Sequence, residues 1–556
     1  MACKRLEESA SFKALLSAHK DRQELDLKAL LKDRGRCDRL ILNYKGVTVD
    51  LSRQLIDCDT LEMLLALADE MNVANKIEML FDGGMLNETE GKSVLHTALR
   101  APREPPLIVN GVDITADVHG VLDRIMSFSH AVRSGTVVAS DGKPFTSLLC
   151  VGIGGSFLGT AFAAQAFMAS GVARAAAAGR KIRFLANIDP AAFRAATDDL
   201  DANRTMVLVI SKTFTTAETM KNAVVARKWL KENITEPSKF GDHMCAVSTN
   251  LRLTKEFGVE DSHVFGFWEW VGGRFSMSSA VGILPLAIHF GFDLAKEFLF
   301  GAHMMDEHFR NTPLKENMPV LMALCSFYNS TILDLNCVAV LPYSEDLSLF
   351  PRYVQQLSME SNGKSVRMNG EALPYNAGEV FFGESGTNGQ HSFYQLLHQG
   401  RVIPSEFIGY IRNDNEDMVE NGVTYHEELM ANFFAQPDAL AYGRTKEFLQ
   451  ANECPEGVVS HKVCSGNRPS TVVVFDEATP YTIGSLVALY EHRISVQGFL
   501  WGINSFDQMG VELGKVLATD IRKLFQAKHC DWPAAQKEGQ ISYSTTRLLE
   551  RFSASH

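Results

Sequence analysis

Two turns rich in glycine and hydroxyl groups, and three isolated polar side chains, are the places where this chain could do chemistry. Gly152-Ile-Gly-Gly-Ser156 follows the apolar run LLCV, and Ser211-Lys-Thr-Phe-Thr-Thr216 follows TMVLVI. Glycine lets backbone amides approach an anion, and Ser and Thr hydroxyls add donors without bulk. Between a strand and a helix, such a turn suits a phosphate monoester. The glycine turn is the weaker signal, because tight strand–helix packing also requires glycine. The second turn carries four hydroxyls in six residues. Neither has the spacing of a nucleotide P-loop, which argues against ATP.

The isolated groups also sit next to glycines. Arg274, in Gly272-Gly273-Arg274-Phe-Ser276, precedes a long apolar segment and is placed at a helix mouth, where a capping or ion-paired arginine is the alternative. Glu360, in MESNGK, ends the helical segment FPRYVQQLSMES at a turn, a position where most glutamates are simply solvated. His391, in GTNGQH, stands between the strand EVFFGE and the helix SFYQLLHQG, where binding loops cluster. A phosphate cradle with a carboxylate, an arginine and a histidine suits proton transfer on a phosphorylated metabolite. Cys454, His461 and Cys464 resemble a metal set but lack a fourth ligand, so no metal is expected.

These groups need elements to hold them. Residues 1–110 read as successive helices, with Leu, Met and Phe at three- and four-residue spacing. From about residue 145 apolar strands alternate with helices: TSLLCV, KIRFLANI and TMVLVI, then NCVAVLPYS, GEVFFGE, VIPSEFIGYI and STVVVFD. Continuous apolar strands predict parallel sheets covered on both faces, giving two doubly wound α/β domains at roughly 110–290 and 310–510. The stretch FSMSSAVGILPLAIHFGF approaches a membrane span in length, but its serines, proline and histidine predict a buried helix. The start MACKRLEESASF has no apolar leader segment.

Composition narrows the partners. The 556 residues are 46% apolar and 22% charged, ordinary for a soluble globular protein. Lys and Arg number 54 against 66 acids, a net charge of −12, so binding to nucleic acid is not expected. Ten dispersed cysteines without a CxxC predict reduced, mostly buried thiols and a cytoplasmic location.

VGIGGS, SKTFTTAET, WVGGRFSMSSAVG, QQLSMESNGK, GESGTNGQHSFYQLLHQG and GFLWGINSFDQMGVELGK resemble, in order, the motifs of the glucose-6-phosphate isomerase family. The resemblance runs from about residue 40 to about residue 520. It departs at Met277-Ser278 and at Ser385, beside the site but replacing no chemical group. It implies two sugar-isomerase (SIS) α/β domains, 111–290 and 291–510. It also implies a helical segment 1–110 packed on the second domain, an arm 511–556, and a homodimer with sites at the interface. Gly155, Ser156, Ser211, Lys212, Thr213 and Thr216 would hold the phosphate, and Gly273, Gln356 and Gln508 would contact the sugar. Glu360 would be the base, Arg274 the stabiliser of the enediolate, His391 and Lys515 the pair that opens the ring, and Glu218 the group that orients His391. No cofactor is implied, and the partners are small sugar phosphates, not nucleic acid or membrane.

The physics suits those roles. Hydrogen moves between adjacent carbons when one carboxylate takes a proton and returns it. The intermediate carries negative charge on oxygen, which a permanently charged guanidinium stabilises. A non-catalytic sugar-phosphate sensor could keep SKTFTT but would have no use for Glu360, Arg274, His391 and Lys515 together. An added extracellular signalling role and acceptance of mannose phosphate are left open by the sequence.

Overall fold

The apolar runs become strands of two sheets. The computed structural model describes residues 5–21, 25–414, 418–526 and 541–554, so Met1–Lys4 of the leader reading lie outside it. Residues Met1–Phe506 form one compact unit and Asp507–His556 a second.

The first sheet has five parallel strands in the order Lys181–Leu185, Ser147–Val151, Thr205–Ile210, Met244–Val247, Val264–Phe265. Every residue of Ser147–Val151, Thr205–Ile210 and Met244–Val247 is buried, as two-sided coverage by helices requires. The last two strands are additions to the sequence reading. Four and two residues are too short to announce a period. The next two strands in the chain pair on opposite sides of Ser147–Val151, so the turns after Val151 and Ile210 flank a topological switch point.

The second sheet has the order Ile41–Tyr44, Val47–Asp50, Ser470–Glu477, Ser405–Arg412, Cys337–Pro342, Val380–Gly383. Its four later strands are parallel and wind as in the first sheet. The other two form a hairpin that adds antiparallel to Ser470–Glu477. This differs from the all-helical reading of residues 1–110. Lys45 and Gly46 both take positive φ, 45° and 82°, the two-residue turn whose twist matches paired strands. Val47 and Val49 point into the core while Thr48 and Asp50 stay half-exposed.

Helix Pro480–Trp501 is the central core element, buried at every residue except Tyr481. It packs along helix Phe292–Asn311. It also brings Glu491, His492 and Arg493 into the interior. Arg100 answers two carboxylates there: both oxygens of Asp306 at 2.8 Å and Glu491 at 2.6 Å. His492 adds a 2.7 Å contact to Asp306. Burial opposes both negative charges, but the two-pronged Arg100 contact holds Asp306 at about 2, whereas Glu491 is pushed up to about 7.

The segment FSMSSAVGILPLAIHFGF supplies helix Ala280–Phe290, buried along its whole length. Among the described residues no single helix is long and apolar enough to cross a membrane. The eight described cysteines are unpaired. Only Cys150, Cys245 and Cys325 are buried, and the other five are half-buried, so thiol burial is less general than the composition suggested.

Candidate active site

The helix Phe350–Gln355 widens into a π turn over Gln356–Glu360. Such single wide turns break the regular backbone pairing and recur at functional sites. Here the turn sets Gln356 against Glu360, and the Gln356 amide donates to Glu360 Oε2 at 2.8 Å. Gly363 ends the segment, its N–H donating to the Met359 carbonyl at 3.0 Å.

Arg274 lies on the short turn Gly273–Phe275 and is buried. Its Nε donates to Ser361 Oγ and its Nη2 to the Ser505 carbonyl, both at 2.6 Å. Its Nη1 stands 3.7 Å from Glu360 Oε1. A guanidinium at the edge of hydrogen-bond range polarises the carboxylate without locking it in a two-pronged pair.

The glycine turn comes up against these residues. A Cβ built on Gly155 would lie 2.2 Å from the Gly273 carbonyl oxygen, and one on Gly154 would lie 3.1 Å from the Gln356 amide nitrogen. Gly154, Gly155, Gly273, Arg274, Gln356 and Glu360 are therefore one constellation drawn from three distant segments. Ser156 closes the glycine turn, its N–H donating to the Ile153 carbonyl at 3.1 Å.

The hydroxyl turn lies at the neighbouring strand end. Ser211 is buried and its hydroxyl donates to Thr216 Oγ1 at 3.4 Å, while Thr213 and Thr215 are exposed and 2.6 Å apart. Phe214 holds the turn in a left-handed conformation, φ 58°, by burying its ring edge-on against Phe257. Thr216 precedes the 17-residue helix Ala217–Asn233 but does not cap it with its side chain. The first amides of that helix, at the positive end of its dipole, are thus left uncapped by the Thr216 side chain, as an anion site requires.

Lys212 departs from the simple cradle picture. Its ammonium reaches the Glu269 and Val271 carbonyls, each at 3.2 Å, and lies 3.4 Å from the Glu269 carboxylate. Lys92 shares that carboxylate at 3.2 Å. Burial lowers the Lys212 pKa below the ordinary lysine value, with Glu269 working against the shift.

His391 ends a short turn over Asn388–His391 and is exposed. Its loop is tied to the second sheet: the Gly386 N–H donates to the Pro342 carbonyl, and the Gln390 amide donates to the Tyr343 hydroxyl, both at 2.8 Å. Among the described residues the His391 ring has no hydrogen-bond partner, and Glu218 makes no hydrogen bond to it. Gln508 and Lys515 belong to the second unit, Lys515 on helix Glu512–Gln526.

Ser361, Asn362, Ser505 and Glu269 were not singled out from the sequence. The first three lie inside quoted motifs, beside residues that drew attention for their charge. The two departures noted above are structural: Ser278 accepts from buried Arg100 at 3.3 Å, and Ser385 donates to Glu345 at 3.0 Å.

The model of the phosphoglucose isomerase family matches residues 50–537. Over 98% of its length the chain is 47% identical to the cytosolic glucose-6-phosphate isomerase of Arabidopsis thaliana, covering 97% of that protein. Over 96% it is 48% identical to the cytosolic A form of Oryza sativa subsp. japonica, covering 93%. Its fold superposes on the crystal structure of a glucose-6-phosphate isomerase from Chlamydia trachomatis with a TM-score of 0.86 at 32% identity, over the whole of both chains.

Proposed function

The chain belongs to the phosphoglucose isomerase family, and we propose the following division of labour in its interconversion of glucose 6-phosphate and fructose 6-phosphate, the step shared by glycolysis and gluconeogenesis. The dianion sits over the first amides of helix Ala217–Asn233, held by Ser211, Thr213, Thr216, Gly155 and Ser156, with Lys212 supplying charge from its place beside Glu269. Gln356, Gly273 and Gln508 contact the sugar.

His391 and Lys515 move a proton from the anomeric hydroxyl to the ring oxygen, opening the ring. Glu360 then takes the proton from carbon 2 of the aldose. The released electron pair forms the carbon 1–carbon 2 double bond, and the carbonyl oxygen takes the negative charge that Arg274 stabilises. Glu360 returns its proton to carbon 1 while the proton of the carbon 2 hydroxyl passes to the carbon 1 oxygen, leaving the ketose with its carbonyl at carbon 2. The observation that carries this reading is the geometry at Glu360, with Gln356 on one oxygen at 2.8 Å and Arg274 at 3.7 Å from the other.

The exposed His391 ring, which has no hydrogen-bond partner among the described residues, supports a homodimer in which this residue serves the neighbouring subunit's site. The placement of all five strands of the first sheet within 111–290 supports the domain division 1–110, 111–290, 291–510 and 511–556. The similarity to cytosolic isomerases of Arabidopsis thaliana and Oryza sativa subsp. japonica supports a cytoplasmic location.

A coupled assay run from glucose 6-phosphate and from fructose 6-phosphate, with and without EDTA, tests the reading. EDTA-insensitive turnover in both directions, reaching the same final ratio of the two sugars, is expected. Failure to convert either sugar would overturn it.

A further inference from the structure

We infer that Ser505 and Asn362 are positioning residues for Arg274, which hold its guanidinium off the base so that Glu360 can exchange protons; this rests on the roles proposed above for Arg274 and Glu360. Ser505 is joined on two sides. Its carbonyl accepts from Arg274 Nη2 at 2.6 Å, and its hydroxyl donates to Asn362 Oδ1 at 2.7 Å. Asn362 is tied in turn to the central helix, donating to the Ile494 carbonyl at 3.1 Å. Ser361, Asn362 and Ser505 are all buried.

The chemistry of these acceptors is what matters. A buried guanidinium beside a carboxylate closes to a two-pronged pair near 2.8 Å unless something else holds its donors. Arg274 and Glu360 instead stand 3.7 Å apart, with two donors of the guanidinium given to neutral oxygens on Ser361 and Ser505. A closed pair would favour the carboxylate so strongly that it could not carry a proton between carbons. Neutral anchors keep the positive charge near the developing enediolate and away from the resting base.

Gly498 makes room for the anchor. A Cβ there would lie 1.8 Å from the Ser505 hydroxyl oxygen and 3.3 Å from Asn362 Oδ1. The central helix, the end of the MESNGK segment and the chain before Phe506 thus meet at one hydrogen bond.

Ser505→Ala tests this with little risk to folding, because it keeps the backbone carbonyl and removes only the hydroxyl. Turnover should fall about 10- to 100-fold, the effect of misplacing a group that stabilises the transition state. KM and the affinity for inorganic phosphate should stay within about twofold, because the phosphate site is untouched. The acidic limb of the kcat–pH profile should move to lower pH as Arg274 closes on Glu360. Gly498→Ala should act on the same bond, so the double variant should be no slower than the slower single one. An unchanged kcat, an acidic limb that stays or rises, or additive losses would overturn the inference. Near-normal turnover of Glu360→Gln would instead remove the underlying assignment. Loss of activity in Glu360→Gln with an unaffected Ser505→Ala would remove this inference alone.

Discussion

The backbones of Gly155 and Gly273 touch: a single methyl group on the first would stand 2.2 Å from the carbonyl oxygen of the second. This contact joins the glycine turn of the first sheet to the turn that carries Arg274. It leaves no side chain that could swing away, so only movement of the backbone can relieve an added atom.

Gly155→Ala is therefore expected to part the two turns. The overpacking should destabilise the fold by about 1–3 kcal/mol and lower turnover more than it raises KM. Urea unfolding and steady-state kinetics check both halves. Wild-type stability with wild-type kcat would show that the contact opens without consequence.

Glu360→Gln keeps the size and one acceptor oxygen but removes the proton acceptor. Sugar-phosphate binding should persist while turnover falls by about 10²–10⁴, the usual contribution of a positioned acid–base group. Direct binding measured by calorimetry separates this from misfolding. A variant that binds and turns over normally would take Glu360 out of the mechanism.

Two inactive variants should rescue one another if His391 serves the neighbouring subunit. Glu360→Gln and His391→Ala, unfolded together and refolded as a mixture, pair at random and give half mixed dimers. Each mixed dimer has one site with both groups intact, so about a quarter of wild-type activity should return. If both groups came from one chain, nothing would return even where native mass spectrometry shows mixed dimers.

His308 should make the fold sensitive to acid. Its Nε2 accepts the Met318 N–H at 3.0 Å, so in the neutral ring Nδ1 faces Thr312 Oγ1 at 3.1 Å as the donor. Burial, helped by nearby His492, lowers its pKa from 6.5 to about 4. The unfolded chain then binds a proton between these values that the folded chain refuses. Its contribution is full above about pH 6.5 and is lost toward pH 4, at most about 3 kcal/mol. Urea midpoints of His308→Gln should fall less steeply than wild type over that range, and parallel curves would contradict the assignment.

The parts of the fold that could be read from the sequence are those whose signal is local. TMVLVI and LLCV are apolar at every position because both faces of their sheet are covered, and each ends where its binding turn begins. The hairpin at 41–50 was missed because four-residue strands between helices carry too little alternation to register. Glu360 and Arg274 were visible as charged residues next to glycines, and motif resemblance supplied their pairing. The anchors of Arg274 were not, since Ser361 and Ser505 lie 87 and 231 residues away in the chain and carry no charge. The Lys212 contact with Glu269 is likewise tertiary, spanning 57 residues from side chain to carbonyl.

The hairpin Ile41–Asp50 has a consequence for synthesis. The first sheet draws all its strands from residues 147–265, so it can close while the ribosome is still making the rest. The hairpin is translated before that sheet, yet its partner is Ser470–Glu477, and the carbonyl that anchors Arg274 comes later still, at Ser505. Long-range pairing of this kind is slow, because loop closure is costly before contacts repay it. A nascent chain is thus expected to carry a finished phosphate-binding half and an unfinished base while the residues between Phe265 and Ser505 are made. Throughout that interval Val47 and Val49, buried in the final fold, are without their cover.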